Sequence, residues 1–345
     1  MSIKFKKEKE DVSVLTANNE SILYTIEFRW DPLTSDVAVI CPHLAKKWTE
    51  FYNTCDKNWI SKIITDSMSG CPFCKPTIDK IVAKFSKDQI DKDIIKHKGI
   101  YVFPNLFPRT TFEAVVTKPE IHYLQLGEFD KDILFDFLQA SFMCIRKAYH
   151  KNKRLQYPVI GCNYMPTAGA SLTHFHMQVS IQEFPFPRIE SLIYHSNRYK
   201  SNQNSSFWKD LKKCNKNLEI KEQDNIYWYV PFAPKGFCEI RASIGKSNFL
   251  EFGKDEIKFL AKGLSDVLRY YDACGFSAFN FVIYSGNMVN AKDNCVSGVE
   301  IIARPNPQPN HINIDSWYMP LLLGQTVVLN KPEETVKEIK QYFND

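Results

Sequence analysis

The chain has 345 residues, a formal net charge of +5, and an ordinary globular composition: 44% hydrophobic, 24% charged and 14% aromatic. That length can bury a sizeable core and suits two domains better than one. No run approaches the roughly eighteen apolar residues of a membrane span, and lysines and arginines fall in short clusters such as KFKKEKE and HKNKR, not in one stripe; this favours a phosphorylated small molecule over a membrane or a nucleic-acid duplex.

The N-terminal stretch MSIKFKKEKEDVSV has no apolar segment of signal-peptide length, and the ten cysteines form no dense framework. A soluble, cytoplasmic, reduced protein is expected, in which a close cysteine pair points to metal more than to a disulfide. Such a pair occurs in CPFC, where Cys71 and Cys74 have the turn spacing that lets two thiolates share one tetrahedral Zn²⁺. His122 and His174 are the candidates to complete a Cys2His2 set; the plainer alternative is two buried thiols and a core histidine. His122 follows Cys74 by 48 residues and His174 follows His122 by 52. Those intervals suit a clamp inside a large domain, not a short finger that reads DNA.

From 133 the apolar positions 133, 134, 137, 138, 142 and 145 have a helical period, and the strand-like YPVIGCNYM follows. THFHMQ (173–178) then reads as a strand. Residues two apart share a strand face, so His174, His176 and Gln178 line one side and Phe175, Met177 and Val179 the core side. With His174 on the metal, His176 is free to attack phosphorus as a neutral imidazole. Gly169 and Ser171, just upstream, bring backbone N–H groups and a hydroxyl towards a phosphate, and Gln178 can donate to a non-bridging oxygen.

The polar run 201–225 separates two stretches with the same order of elements. In the second, FCEIRASIGKSNFLEFGKDE leads into apolar positions 257, 260, 264, 267, 268 and 271, Gly275 is a helix stop, and FNFVIYSG is strand-like. The offset between halves stays near 123 to 126 residues. It predicts two copies of a strand–helix–strand unit, 1–200 and 226–345, joined by 201–225. SGVEII (297–302), the counterpart of THFHMQ, has no histidine.

Five ordered motifs carry a resemblance: DPLTSDVAVICPHLAKKW (31–48), CPFC (71–74), VFPNLFP (102–108), KPEIHYLQLGEF (118–129) and NYMPTAGASLTHFHMQ (163–178). In these, and over nearly its whole length, the chain resembles the galactose-1-phosphate uridylyltransferase family of the histidine-triad superfamily, whose relatives include phosphorylases of ADP-glucose and of diadenosine tetraphosphate. The resemblance implies an α+β fold of two histidine-triad-like repeats, antiparallel sheets with packed helices, and a homodimer. It implies that His176 forms a covalent nucleotidyl-histidine and that Gln178, Ser171 and Asn163 contact phosphates. Asn105 would lie by the nucleoside, and Cys71, Cys74, His122 and His174 would hold a mainly structural zinc. Lys47 and Leu44 stand at the family's phosphate-binding arginines, Phe175 at a usual proline, and Leu106 at a usual aspartate. Gln325 and Thr326 replace a Tyr-Glu pair that uridylyltransferases keep for the sugar.

The reading is a nucleotidyltransferase working by a ping-pong mechanism between a nucleotide sugar and a sugar 1-phosphate. Two alternatives stand beside it: a phosphorylase with inorganic phosphate as acceptor, and a non-catalytic nucleotide-binding protein. The acceptor, base and sugar are not exposed by the sequence.

Overall fold

Both copies of the repeat contribute to one antiparallel sheet of ten strands, in a computed structural model that describes residues 3–45, 55–289, 294–309 and 316–344. In chain order the strands are β1 (Lys7–Leu15), β2 (Ser21–Trp30), β3 (Val37–Ile40), β4 (Ile95–His97), β5 (Ile100–Pro104), β6 (Phe112–Thr117), β7 (Tyr157–Tyr164), β8 (His176–Gln182), β9 (Glu219–Gln223), β10 (Ile226–Tyr229), β11 (Phe237–Ile244), β12 (Ala278–Tyr284), β13 (Ser297–Arg304) and β14 (Thr326–Val328). The large sheet runs β4-β5-β6-β8-β7-β12-β13-β11-β10-β9. Its second five strands repeat the first five in reverse, and β7 and β12 join the copies in register from Tyr164–Phe279 to Val159–Tyr284. A smaller sheet, β1-β2-β3-β14, brings the N-terminal hairpin and a C-terminal strand together, with β14 parallel to β3.

The helical periods form α2 (Lys131–Lys151) and α5 (Lys254–Ala273); α1 is Lys57–Met68, ahead of the CPFC turn. Asp130 caps α2 by accepting from Asp132 N, and Gly275 ends α5 at φ +80°, where a side chain would be strained. α2 and α5 pack on each other over the sheet, and residues of both copies form one continuous core, Phe137 and Phe175 with Leu264 and Tyr271 among them. Among the described residues, no helix is long and apolar enough to cross a membrane.

Residues 201–225 do not run as an open connection. They carry the end of α3 (Pro187–Gln203), all of α4 (Phe207–Cys214) and the edge strand β9. Phe207, Trp208 and Leu211 sit at helical spacing and are buried, which turns a polar stretch into a packed amphipathic helix. The strand expected over THFHMQ begins only at His176. His174 stands just ahead of it, where its ring turns to the cysteines and Phe175 N donates to His122 O at 2.9 Å.

Candidate active site

The CPFC turn follows α1 and points both sulfurs at two histidines from later in the chain. Cys71 Sγ is 3.4 Å from His174 Nδ1; Cys74 Sγ is 3.3 Å from His174 Nδ1 and 3.3 Å from His122 Nδ1; the two Nδ1 atoms are 3.2 Å apart. All four candidate ligand atoms lie within 4.8 Å of one another, a cluster that can hold a metal ion. The outer ring nitrogens fix the tautomers. His174 Nε2 donates to Lys118 O at 3.1 Å. Ser67 Oγ spends its hydrogen on Ile64 O at 2.9 Å, so it accepts from His122 Nε2 at 2.9 Å. Both Nδ1 lone pairs therefore face the sulfurs, and each histidine has the outer-shell acceptor a metal ligand needs. Burial pushes His174 down to about 4, with His122 nearby in the same direction, and lowers His122 as well. Burial, reinforced by Cys71, raises Cys74 to about 11. The imidazoles are neutral at pH 7, and the Cys74 thiol needs a cation to become a thiolate.

His174 is joined to His176 by backbone as well as sequence. His176 Nδ1 donates to the carbonyl of His174 at 2.8 Å, which leaves the lone pair on Nε2. The ring is buried and meets Phe73 in an edge-to-face arrangement with ring centroids 5.5 Å apart. Burial lowers its pKa, the hydrogen bond to His174 opposes that, and the Arg109 charge lowers it further. A neutral imidazole with one free nitrogen is a nucleophile.

His176 forms part of the wall of a cavity of about 490 Å³. Ser171, Gln178 and Asn105 lie in the same wall, while Phe73, Phe103 and Val115 make its apolar side and Leu106 and Phe107 its exposed rim. Four expected site residues are thus brought together. Asn163 and Gly169 stand off this lining: Asn163 Oδ1 accepts from Asn280 Nδ2 at 2.7 Å across the junction of the copies, and Gly169 closes a turn at φ +82°. Lys47 lies outside the described residues. Phe175, where a proline was expected, drops its ring into the core against Phe137 at 4.6 Å and Phe129 at 4.8 Å.

Two residues of the site escaped sequence reasoning. Glu113, on β6, is buried and accepts from Asn105 Nδ2 at 2.9 Å, from Arg109 N at 2.6 Å and from Arg109 Nη2 at 2.5 Å. Arg109 lies in the cavity wall and Nη2 also donates to Gln178 Oε1 at 3.0 Å. Burial alone would raise the Glu113 carboxyl, but the hydrogen bonds from Arg109 hold it below its usual value. A signal existed: FPRTTFE (107–113) recurs as APKGFCE (233–239), a cation directly after a proline and a glutamate four further on. In the second copy the corresponding space is closed by ions. Arg241 pairs with Asp31 at 3.0 Å and Glu239 at 2.6 Å, and Arg188 pairs with Glu300 at 3.0 Å.

No protein-family model matches the chain. An uncharacterized protein of Archaeoglobus fulgidus is 27% identical over 348 residues, which is 99% of this chain and all of that one. Among solved structures, an ADP-glucose phosphorylase from Arabidopsis thaliana, determined with bound ADP-glucose, aligns with a TM-score of 0.71 at 18% identity over 92% of this chain and 98% of its own. A uridylyltransferase aligns with a TM-score of 0.63 at 20% identity over 72% of this chain and 85% of its own. The chain shares the fold of these two proteins. With the Arabidopsis phosphorylase the likeness runs nearly end to end in both chains.

Proposed function

We propose that the protein is a nucleotidyltransferase in which His176 carries the nucleoside monophosphate. The observation behind this is the state of that side chain: Nδ1–H is committed to His174 O, and Nε2 has its lone pair at the wall of the cavity. In the first half-reaction Nε2 attacks the α-phosphorus of a nucleotide sugar. The P–N bond forms as the bond to the bridging oxygen breaks, and sugar 1-phosphate leaves with that electron pair. In the second, a phosphate oxygen of the acceptor forms the new P–O bond and P–N breaks, returning the neutral imidazole. While the adduct exists, His174 O accepts from the ring N–H and stabilises its positive charge. Gln178 and Ser171 donate to the phosphate oxygens, with Asn163 and the Gly169 turn shaping the segment that presents Ser171. Asn105 holds the β5–β6 loop by the nucleoside, since its amide is bonded to Glu113 and to Phe107 N. The half 1–200 carries this chemistry, 226–345 is its scaffold, and a homodimer belongs to the same reading.

Cys71, Cys74, His122 and His174 fit zinc. A tetrahedral ion with Zn–S of about 2.3 Å and Zn–N of about 2.0–2.1 Å has ligand edges of roughly 3.3–3.8 Å; the Cys71–His174, Cys74–His174 and Cys74–His122 S···N separations and the N···N separation here are 3.2 to 3.4 Å, and all four atoms lie within 4.8 Å. Bound there, zinc would supply structural cross-linking, tying the CPFC turn to the residue whose carbonyl orients His176.

The acceptor is a sugar 1-phosphate in the leading reading. Inorganic phosphate, making the protein a phosphorylase, is the second, and the end-to-end likeness to the ADP-glucose phosphorylase supports it. Intact-protein mass spectrometry after brief exposure to ADP-, UDP- and GDP-sugars without acceptor tests the covalent step. We expect an acid-labile gain of one nucleoside monophosphate that His176→Gly abolishes. Bound nucleotide with no adduct from any donor, or an adduct unaffected by the substitution, would falsify it. Discharging the adduct with phosphate against sugar 1-phosphate separates the two acceptors.

A further inference from the structure

We propose that Arg109 is the phosphate-binding cation of this site, meeting a nucleoside diphosphate with the N–H groups of Nη1 and Nε while its Nη2 sets the orientation of Gln178. The proposal rests on the nucleotide reading of the cavity but not on the covalent step.

Arg109 is the one charged side chain among the described residues lining the cavity. The other polar groups there, Ser171, Asn105, Gln178 and His176, are neutral donors or acceptors. A diphosphate carries charge that neutral donors alone solvate poorly, and a guanidinium meets its oxygens with charge-assisted N–H bonds from a cation that does not deprotonate. The side chain is held without being used up. Glu113 takes its backbone N–H at 2.6 Å and one contact from Nη2 at 2.5 Å, and Gln178 Oε1 takes another from Nη2 at 3.0 Å. Among the described residues nothing engages Nε or Nη1. The side chain is 63% exposed even though its partner carboxylate is fully buried. The contact with Gln178 has a second effect: because a guanidinium only donates, it must meet the amide oxygen, so the Gln178 NH₂ group is left to donate elsewhere.

The second copy of the repeat supplies an internal control. Lys235 stands where Arg109 does, and its backbone N–H is held by Glu239 in the same way. There the cation is spent: Lys235 Nζ pairs with Asp36 at 2.7 Å, and Arg241 occupies the other oxygen of Glu239 at 2.6 Å. The same turn builds an internal ion cluster in one copy and an exposed guanidinium edge beside an open cavity in the other.

Titration calorimetry of the wild type, Arg109→Gln and Arg109→Lys with ADP, UDP and GDP and with the three parent nucleosides tests this. Arg109→Gln should weaken the preferred diphosphate about 10- to 100-fold, the size of a lost charge-assisted contact. Binding of the nucleoside should stay within about 2-fold. Arg109→Lys, which keeps charge but loses the planar fork, should fall between and shows that a folded cavity remains. The proposal is overturned if Arg109→Gln binds diphosphate as the wild type does, if it loses nucleoside and diphosphate equally, or if the wild type binds none of the diphosphates. Failure of the transfer reading looks different: diphosphate binding would depend on Arg109 while no His176 adduct formed.

Discussion

Phe175 separates the two histidines, and replacing it by proline, the residue usual in the family this segment resembles, should damage this protein. The ring is fully buried and packs on Phe129, Phe137 and Tyr164. Removing a buried phenylalanine costs about 3–5 kcal/mol through lost transfer energy and the cavity left behind. Proline also deletes the N–H that Phe175 donates to His122 O at 2.9 Å, worth about 1 kcal/mol. Phe175→Pro should therefore lose about 4–6 kcal/mol, a large share of the roughly 5–15 kcal/mol that holds a typical fold. Phe175→Leu keeps the N–H and most of the volume and should lose about 1–2 kcal/mol. It should also leave His176 in place. The carbonyl of Phe175 still accepts from Thr117 Oγ1 at 2.8 Å, and the His176 ring is held by His174 O, not by the phenyl group. The assay is urea denaturation followed by tryptophan fluorescence, with nucleotide adduct formation measured well below the midpoint. A Phe175→Pro midpoint equivalent to less than 1 kcal/mol of loss would refute the packing argument, and so would a Phe175→Leu protein as stable as wild type that no longer forms adduct.

Two further outcomes follow from the geometry. Ser67→Ala removes the acceptor of His122 Nε2–H, so metal retention should drop by about 10- to 100-fold in competition with a chelator while one metal ion per chain still binds in excess zinc; unchanged retention would mean the hydroxyl does not orient the ligand. For Asp31, burial alone would raise the carboxyl, but the Arg241 charge, the N–H groups of Thr34 and Leu33 and the Arg188 charge bring it from 3.8 down to about 2. A depressed carboxylate stabilises the fold above its unfolded pKa and stops doing so as pH falls through the folded one; the stake is about 2 kcal/mol, lost between pH 5 and pH 2. Denaturant midpoints for the wild type should fall more steeply over that window than those of Asp31→Asn, and parallel curves would contradict the ion pair.

The chain's legible features were those that are local or periodic. The apolar spacing from 133 and from 257 specifies the two long helices, and the constant offset between them announces a repeat that the sheet order displays. CPFC and the paired histidines marked the cluster because two thiols at turn spacing with two imidazoles are a ligand set suited to one metal ion. What stayed hidden depended on contacts far apart in sequence. The spacing of His174 and His176 reads as one strand face, but His174 is drawn off the strand by sulfurs about a hundred residues earlier. Arg109 reaches Gln178 only because β6 pairs with β8. The changes at Leu44 and Lys47 read as reduced phosphate charge, and Arg109, the cation proposed to answer it, stands in another loop. The smaller sheet joins β3 to a strand near the other end of the chain, a pairing no local pattern announces.

The junction of β7 and β12 has a consequence for how such a chain can change over generations. On the proposed reading the copy without catalytic histidines is released from chemistry, and its counterparts of the active-site side chains are tied up in ion pairs. It is not released from shape. Asn280 bonds Asn163, the strand holding it is the neighbour of β7, and β7 in turn borders the strand that bears His176. Selection on the half that bears His176 therefore reaches across the seam, and the other half can drift in what it binds but not in how its central strands lie.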